Sequence, residues 1–124
     1  MKDKTLGAYN IHDLREMARR RLPRGVFEFV DRGTEDESAL RNNRAAFERI
    51  RLKPRTLVDV SGRSQEITLF GKKQPMPIVV GPTGTAGLLS YGGEVAVARA
   101  AAAAGIPFTV GTNAMTSMET IAEQ

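Results

Sequence analysis

The sequence contains no cysteine, which excludes disulfide bonds, thiolate metal sites and a cysteine nucleophile within these 124 residues. Long hydrophobic runs are also missing, since no stretch approaches the roughly 18 apolar residues that a membrane span requires. The first ten residues, MKDKTLGAYN, lack the apolar segment of a signal peptide. We therefore expect a soluble, unprocessed chain, and the absence of cysteine is compatible with the cytoplasm.

Positive charge is only slightly in excess, because 18 Lys and Arg residues stand against 14 Asp and Glu residues, which gives a net charge of +4. Three consecutive arginines, Arg19 to Arg21, end a helical pattern, where cations suit the helix dipole. No aromatic residues interleave with the basic ones, as they do in many nucleic-acid-binding surfaces. We therefore interpret the basic residues as a solvated face and expect no nucleic-acid partner.

The first part of the sequence predicts short helices. Apolar residues recur at helical spacing from about Ile11 to Leu22, with Asn10 as the N-cap. Pro23 is placed to open a second short helix, which Gly33 is expected to end in a left-handed conformation.

A third helix and a hairpin are expected next. Thr34 and Glu37 have capping-box spacing and predict a helix that continues through Phe47. Farther on, Gly71 and two lysines lie between short β-rich segments, which is typical of an antiparallel hairpin.

After Met76 the pattern changes to that of a parallel sheet. The run PIVV is continuous and apolar, as in strands that are buried on both faces. A helix is expected from about Glu94 to Ala104, ended by Gly105, and IPFTV predicts a second strand. Strand, helix and strand together predict a parallel βαβ unit.

A further helix is expected after the second strand, because Thr116 and Glu119 again have capping-box spacing. Two parallel strands without a third leave an open sheet edge. We therefore interpret residue 124 as an interruption rather than as a natural domain end.

The loop from Gly81 to Gly93 is rich in glycine but matches no nucleotide-binding fingerprint. It lacks the Gly-Lys-Ser/Thr of a P-loop, and its G-x-x-G-x-x-G spacing differs from the G-x-G-x-x-G of dinucleotide-binding folds. A loop of small residues after a parallel strand is nevertheless where α/β folds place ligands. Ligand binding and simple turn formation remain equally compatible with the spacing, whereas the alanine run that follows favours helix packing.

Several longer motifs carry a more specific signal. They are RRLPRGVFEFVDRGTEDE, LKPRTLVDVSGRS, MPIVVGPTG and GGEVAVARAAAAAGIPF, in this order. Together they resemble the FMN-dependent 2-hydroxy acid dehydrogenases and oxidases over nearly the whole chain.

This resemblance implies an α/β fold, the N-terminal part of a TIM (β/α)8 barrel preceded by short helices and a β-hairpin. Residues 1–75 would form the helices and the hairpin, and residues 76–124 the first βαβα segment. The implied activity is oxidation of an (S)-2-hydroxy acid, of the lactate or mandelate type, to the 2-oxo acid with FMN as cofactor. A full-length relative would be a homo-oligomer, a tetramer in the family, and could associate peripherally with a membrane.

The resemblance also implies site residues. Pro82, Thr83 and Gly84 match the segment that contacts the flavin near its N5 and O4 edge, largely through backbone groups. Gly111 stands where the family usually has a serine that hydrogen-bonds the flavin, and Phe29 where it usually has a tyrosine that binds the substrate carboxylate. Phe29 is alternatively a core residue of its helix.

The catalytic histidine, arginines and lysine of the family have no counterpart within these 124 residues. The sole histidine, His12, lies on the first predicted helix and is interpreted as a surface residue. We therefore expect this chain by itself to be inactive and to contain no metal site. The alternative is a non-catalytic part-barrel, an interaction module that needs a complementary chain.

Overall fold

The structure, a computed structural model, describes residues 7–124 and has an α/β architecture. It divides into two units, one running to Thr56 and the other spanning Leu57–Gln124. In chain order the elements are α1 (Ile11–Arg21), α2 (Arg24–Asp31), α3 (Ser38–Arg49), β1 (Ile67–Leu69), β2 (Lys72–Gln74), β3 (Val80–Thr83), α4 (Ala86–Leu89), α5 (Gly93–Ala103), β4 (Phe108–Val110) and α6 (Met118–Ala122).

The first unit consists of the three predicted helices. Asn10 caps α1 as expected, because its side-chain oxygen accepts a hydrogen bond from the Asp13 N–H at 2.9 Å. Arg15 of α1 and Asp31 of α2 form a bidentate ion pair, with Nη2 and Oδ2 2.7 Å apart. None of these three helices contains a fully buried residue.

The predicted left-handed cap at Gly33 is wrong. The α2 helix ends at Asp31, and Arg32 leaves it in an extended conformation while its N–H bonds the Glu28 carbonyl. Gly33 has no positive φ. A Cβ at this position would lie 3.1 Å from Leu40 Cβ, so the glycine permits a close contact with α3.

The prediction of a capping box between Thr34 and Glu37 is also wrong. Glu37 is the N-cap of α3, but it has a φ of 58° and makes no side-chain cap hydrogen bond. Its N–H bonds the Thr34 carbonyl at 2.9 Å, so these residues form a turn. The Glu37 carboxylate instead accepts a hydrogen bond from the Gly33 N–H at 3.2 Å.

The second unit begins with the hairpin, which is confirmed. The β1 and β2 strands pair antiparallel, with Leu69 opposite Lys72. Phe70 and Gly71 form the two-residue connection and both have positive φ, 51° and 74°. Two left-handed residues in a two-residue loop match the twist of the flanking strands.

The parallel strand pair is likewise confirmed, with Val80 opposite Phe108 and Thr83 opposite Val110. The register shifts between Val80 and Thr83, where Pro82 lacks the N–H that a regular ladder would use. The strand starts at Val80 rather than at Pro77. The expected burial of the PIVV run on both faces is not observed, since Ile78 is 51% exposed.

The α5 helix crosses between the two parallel strands and packs against α4, β4 and α6. It ends as predicted, with Gly105 left-handed at a φ of 68°. Ala101 is its one buried apolar side chain among the described residues, which fits a packing role for the alanine run. Between residues 7 and 124 no helix has the length and apolar character to cross a membrane.

The last predicted capping box is shifted by one residue. Ser117, not Thr116, caps α6, and its hydroxyl oxygen accepts a hydrogen bond from the Thr120 N–H at 3.2 Å. The Thr116 hydroxyl instead donates a hydrogen bond to Glu94. Capping-box spacing thus located the helix but not its cap.

Candidate functional site

Two loops follow the carboxyl ends of the parallel strands. We name them the first loop (residues 84–92, which contains α4) and the second loop (residues 111–117). Because β3 and β4 are parallel neighbours, both loops leave the sheet at the same edge, where α/β folds bind ligands. Four of the five predicted cofactor and substrate contacts fall at this edge.

Pro82, Thr83 and Gly84 lie exposed at the end of β3, whereas Gly111 is buried at the end of β4. A Cβ built on Gly111 would lie 2.7 Å from the Thr83 carbonyl oxygen and 3.0 Å from the Gly84 nitrogen. Real Cβ atoms do not approach backbone this closely. The two strand ends therefore touch in a way that only glycine at position 111 allows.

Thr85 continues this contact between the loops. Its N–H donates to the Asn113 carbonyl oxygen at 2.9 Å, and its φ is 53°. Left-handed backbone is uncommon for a β-branched residue and concentrates at functional sites. At Gly84 an added Cβ would meet Asn113 Cβ at 3.3 Å, so the second loop also lies closely against Gly84.

Glu94, in the first turn of α5, is buried between the two loops with only 2% of its surface exposed. Its Oε1 accepts hydrogen bonds from the Gly87 N–H of the first loop and the Met115 N–H of the second, each at 3.0 Å. Its Oε2 accepts a hydrogen bond from the Thr116 hydroxyl at 3.3 Å. One carboxylate thus joins both loops to a helix.

The hydrogen bonds favour the ionised form of this carboxylate. The Met115 N–H lowers the pKa of Glu94 most, followed by the N–H groups of Glu94 itself and of Gly87, and together they outweigh the desolvation that raises it. The helix N-terminus also favours a negative charge here. A Cβ on Gly87 would lie 3.1 Å from Oε2, so glycine is required for the carboxylate to come this close.

Glu94 is a residue that sequence reasoning missed. The pattern indicated only the start of a helix, where an acidic residue is ordinarily solvated. The two glycines before it, Gly92 and Gly93, were the available signal, because a Cβ on Gly93 would lie 2.5 Å from the Ala86 carbonyl oxygen. That contact brings the first loop over the start of α5.

The remaining predicted residues lie in the first unit. Phe29 is 71% exposed on α2, so its side chain is not a core residue of this unit. His12 is exposed on α1. In the part of the chain that the structure describes, no group of three His, Asp or Glu side chains is placed to hold a metal ion.

The chain is similar to flavoenzymes of one family. The family model described as FMN-dependent dehydrogenase matches residues 18–124. The (S)-mandelate dehydrogenase of Pseudomonas putida is 44% identical over 116 residues, which cover 94% of this chain and 30% of that protein. The L-lactate dehydrogenase of Yersinia pestis (strain Pestoides F) is 43% identical over 110 residues, covering 89% of this chain and 29% of that protein.

Solved structures give the same result. A soluble mutant of the membrane-associated (S)-mandelate dehydrogenase from Pseudomonas putida superposes with a TM-score of 0.87 at 44% identity, covering 95% of this chain and 34% of that one. Mandelate oxidase superposes with a TM-score of 0.85 at 39% identity, covering 94% and 34%. The chain therefore spans about a third of the length of these relatives.

Proposed function

The chain belongs to the FMN-dependent dehydrogenase family, and from this premise we propose that it forms part of the FMN site of an enzyme that oxidises an (S)-2-hydroxy acid to the 2-oxo acid. The substrate would be of the lactate or mandelate type, as the names of the similar proteins suggest. The observation that carries the proposal is the close contact of Thr83 and Gly84 with Gly111 at the carboxyl edge of the parallel strands.

The wider fold that we propose is the N-terminal part of a TIM barrel. Residues 1–75 would supply the helices and the hairpin that precede it, and residues 76–124 its first βαβα segment. The order of the elements and the parallel pairing of β3 with β4 support this arrangement. In such barrels ligands bind at the carboxyl ends of the strands, where the two loops lie.

The residues at this edge fit a flavin. Pro82, Thr83 and Gly84 form an exposed strip, and the lack of a Cβ at Gly84 lets backbone groups approach a flat ring system. Gly111 carries no hydroxyl and is buried, so any contact that it makes with the ring would come from its backbone. When bound, FMN would supply the capacity to accept two electrons from the substrate.

From the family resemblance we propose that Phe29 contacts the substrate through its aromatic ring. It lacks the hydroxyl of the tyrosine that the family usually has there, and the loss of one charge-assisted hydrogen bond to a carboxylate costs about 1.5–3 kcal/mol. The Phe29 side chain is exposed on α2. We therefore expect weaker binding of small hydroxy acids than of aryl ones.

Proton transfer is assigned to no residue of this chain. His12 is the sole histidine, and it lies exposed on α1 in the first unit. We propose that the 124 residues alone contact the cofactor but do not turn over substrate. Homo-oligomerisation and peripheral membrane association would be properties of a full-length protein, the latter by analogy with the mandelate dehydrogenase described as a monotopic membrane protein.

A second function is favoured by exposed apolar side chains of the second unit. Ile78 and Val79 next to β3, Leu88 of α4 and Val97 of α5 are all among the exposed large hydrophobic residues. A part-barrel interaction module that requires a complementary chain would cover such residues. A cooperatively melting, monodisperse monomer in sedimentation and circular dichroism would argue against this alternative.

Flavin contact can be tested directly on the 124-residue chain. Titration of the ¹⁵N-labelled chain with FMN alone should shift the amide signals of Thr83, Gly84 and Gly111 saturably, and the signals of the hairpin residue Gly71 should not move. An absence of saturable shifts at the strand ends would contradict the proposed cofactor site.

A test of the proposed activity requires a chimera with a full-length relative. Residues 18–124 would replace the matching segment of the Pseudomonas putida (S)-mandelate dehydrogenase, and the product should retain FMN and oxidise (S)-mandelate. Phe29→Tyr in this chimera should lower KM for lactate by about tenfold, the equivalent of one hydrogen bond to a carboxylate. An inactive but FMN-loaded chimera would contradict the assigned roles. Anaerobic bleaching of FMN by (S)-mandelate in the presence of the 124-residue chain alone, with no bleaching when the chain is omitted, would contradict them as well.

A further inference from the structure

Within residues 7–124, Glu94 is a buried carboxylate that the proposed chemistry does not use. Glu94 accepts hydrogen bonds from Gly87 in the first loop and from Met115 and Thr116 in the second. Among the described residues, no lysine, arginine or histidine contributes to the pKa of Glu94. A buried charge that is satisfied only by backbone and hydroxyl donors fixes the position of those donors, because moving either loop would leave the charge unpaired.

The connection spans the two halves of the candidate site. Gly87 lies three residues after Gly84, and Met115 lies four residues after Gly111. The same two loops also meet through the Thr85 N–H, which donates to the Asn113 carbonyl oxygen. The loops are therefore joined at two levels, one beside the strand ends and one at the start of α5.

We propose that Glu94 is a positioning residue for the flavin site, which holds the first loop against the second and so sets the spacing between the Thr83–Gly84 backbone and Gly111. This inference rests on the proposed function. The carboxylate does not contact the flavin in this scheme; it acts through the Gly87 and Met115 peptide groups. Its protonation or removal would loosen the spacing without changing any atom that faces the ring.

The surroundings of Glu94 allow a pH titration of the nearby amides to be assigned to this one carboxylate. Of the elements packed against α5, neither α4 nor β4 carries a titratable side chain, and α6 carries only Glu119, which is exposed and forms no hydrogen bond with Glu94. The amide protons of Gly87 and Met115 should therefore report the same single titration. Because the pKa of Glu94 is lowered, its midpoint should lie below that of an ordinary glutamate.

The first experiment uses the native 124-residue chain and needs no variant. In ¹⁵N-resolved spectra across acid pH, the Gly87 and Met115 amide protons should move together, and the Gly105 amide, bonded to the Ala102 carbonyl, should not follow them. Different midpoints for the two amides, or no titration at either, would overturn the proposal regardless of any flavin binding.

The second experiment measures binding of FMN alone to matched variants. Glu94→Gln removes the charge at constant shape, and Gly87→Ala forces a methyl group to within 3.1 Å of Oε2 and of Met115 Cβ without changing any charge. Each should raise the Kd for FMN about tenfold, the value of one charge-assisted hydrogen bond. Each should also alter the visible absorption of the bound flavin.

The controls are an exposed acid and a glycine in open space. Glu123→Gln changes the net charge equally at the end of the chain, and Gly62→Ala adds a methyl group that meets nothing within 4 Å. Both should leave the Kd within twofold of native. Unchanged affinity and spectrum in Glu94→Gln and Gly87→Ala would overturn the positioning role alone, whereas failure of the native chain to bind FMN would contradict the proposed function.

A positioning role also predicts a pH profile. FMN affinity of the native chain should fall as the pH drops through the Glu94 midpoint measured from the amides, and this step should be absent from Glu94→Gln. A residue that served only global stability would move the melting temperature of the chain without this shared midpoint, and such a result would contradict the proposal.

Discussion

The two units of the chain use charged side chains in opposite ways. In the first unit, Arg15 and Asp31 pair across α1 and α2 at the surface, and none of its helices has a buried residue. In the second unit, Glu94 is buried and pairs with peptide N–H groups and a hydroxyl rather than with a cation.

The two kinds of charge pairing differ in how strongly they fix the path of the backbone. A surface ion pair is screened by salt and tolerates movement of either partner. A buried carboxylate bonded to backbone donors is hardly screened, and it fixes the path of the chain because peptide groups cannot rotate away. The unit with the candidate ligand site is thus the one whose backbone is fixed by a buried charge.

The largest effect on the free energy of unfolding is expected at Gly111, where the ends of the two parallel strands meet. Gly111→Ser would place a Cβ 2.7 Å from the Thr83 carbonyl oxygen, and forced overpacking of this kind typically costs about 1–3 kcal/mol. The free energy of unfolding from urea titration should fall by this amount.

Gly62→Ser is the matched control for this substitution, because nothing lies within 4 Å of a Cβ at that position. It should leave the unfolding midpoint nearly unchanged. If Gly111→Ser were as stable as Gly62→Ser, the strand ends would have room for the serine of the family, and the close contact described for Thr83 would be wrong.

A smaller effect is expected at Thr85, where substitution by glycine should stabilise the chain. This residue has a φ of 53°, and left-handed backbone costs an L-residue about 1–2 kcal/mol that glycine avoids. Thr85→Gly should raise the free energy of unfolding by up to about 1 kcal/mol after the entropic cost of glycine. Thr112→Gly, at a residue without positive φ, should instead destabilise the chain.

The smallest effect is expected in the first unit. Arg15→Gln removes the ion pair that lowers the pKa of Asp31 mainly through a hydrogen bond. The contribution of Asp31 is present above its ordinary pKa and is lost as the pH falls through the lowered value. The change in urea midpoint should therefore vanish at strongly acid pH and shrink in 1 M NaCl, where the Debye length is about 3 Å.

Arg24→Gln provides the comparison for this variant, because Arg24 pairs with Glu28 within one helix. Such a pair does not connect two helices, so its removal should shift the midpoint less than Arg15→Gln does. Equal shifts would contradict the greater weight given to the pair that connects two helices. A shift in Arg15→Gln that 1 M salt does not reduce would contradict the description of Arg15–Asp31 as a screened surface pair, and with it the contrast with Glu94.

Much of the fold was predictable because it depends on neighbours in the chain. The N-cap at Asn10, the hairpin turn at Gly71 and the end of α5 at Gly105 are each set by residues within one or two turns. The wrong predictions also concerned local features of the chain. The turn at Thr34 and Glu37 has capping-box spacing, but a left-handed Glu37 directs the chain differently.

The candidate site was predictable only in part. The glycine loop and the motifs around it indicated Pro82, Thr83 and Gly84, and the structure brings Thr83 and Gly84 to Gly111. Their role toward a flavin stays a prediction, as does that of Phe29. The motif spacing at Thr116 suggested a helix cap, yet the hydroxyl bonds a carboxylate 22 residues earlier.

By itself, the sequence determined the order of helices, hairpin and parallel strands, and it carried the motifs of the family. These features follow from periodicity, caps and turns, which act over a few residues. Only the tertiary structure decided that Glu94 turns inward and that Gly111 lies against Thr83. Both depend on contacts between segments more than 20 residues apart, since the Glu94–Met115 bond spans 21 residues and no local pattern encodes such a contact.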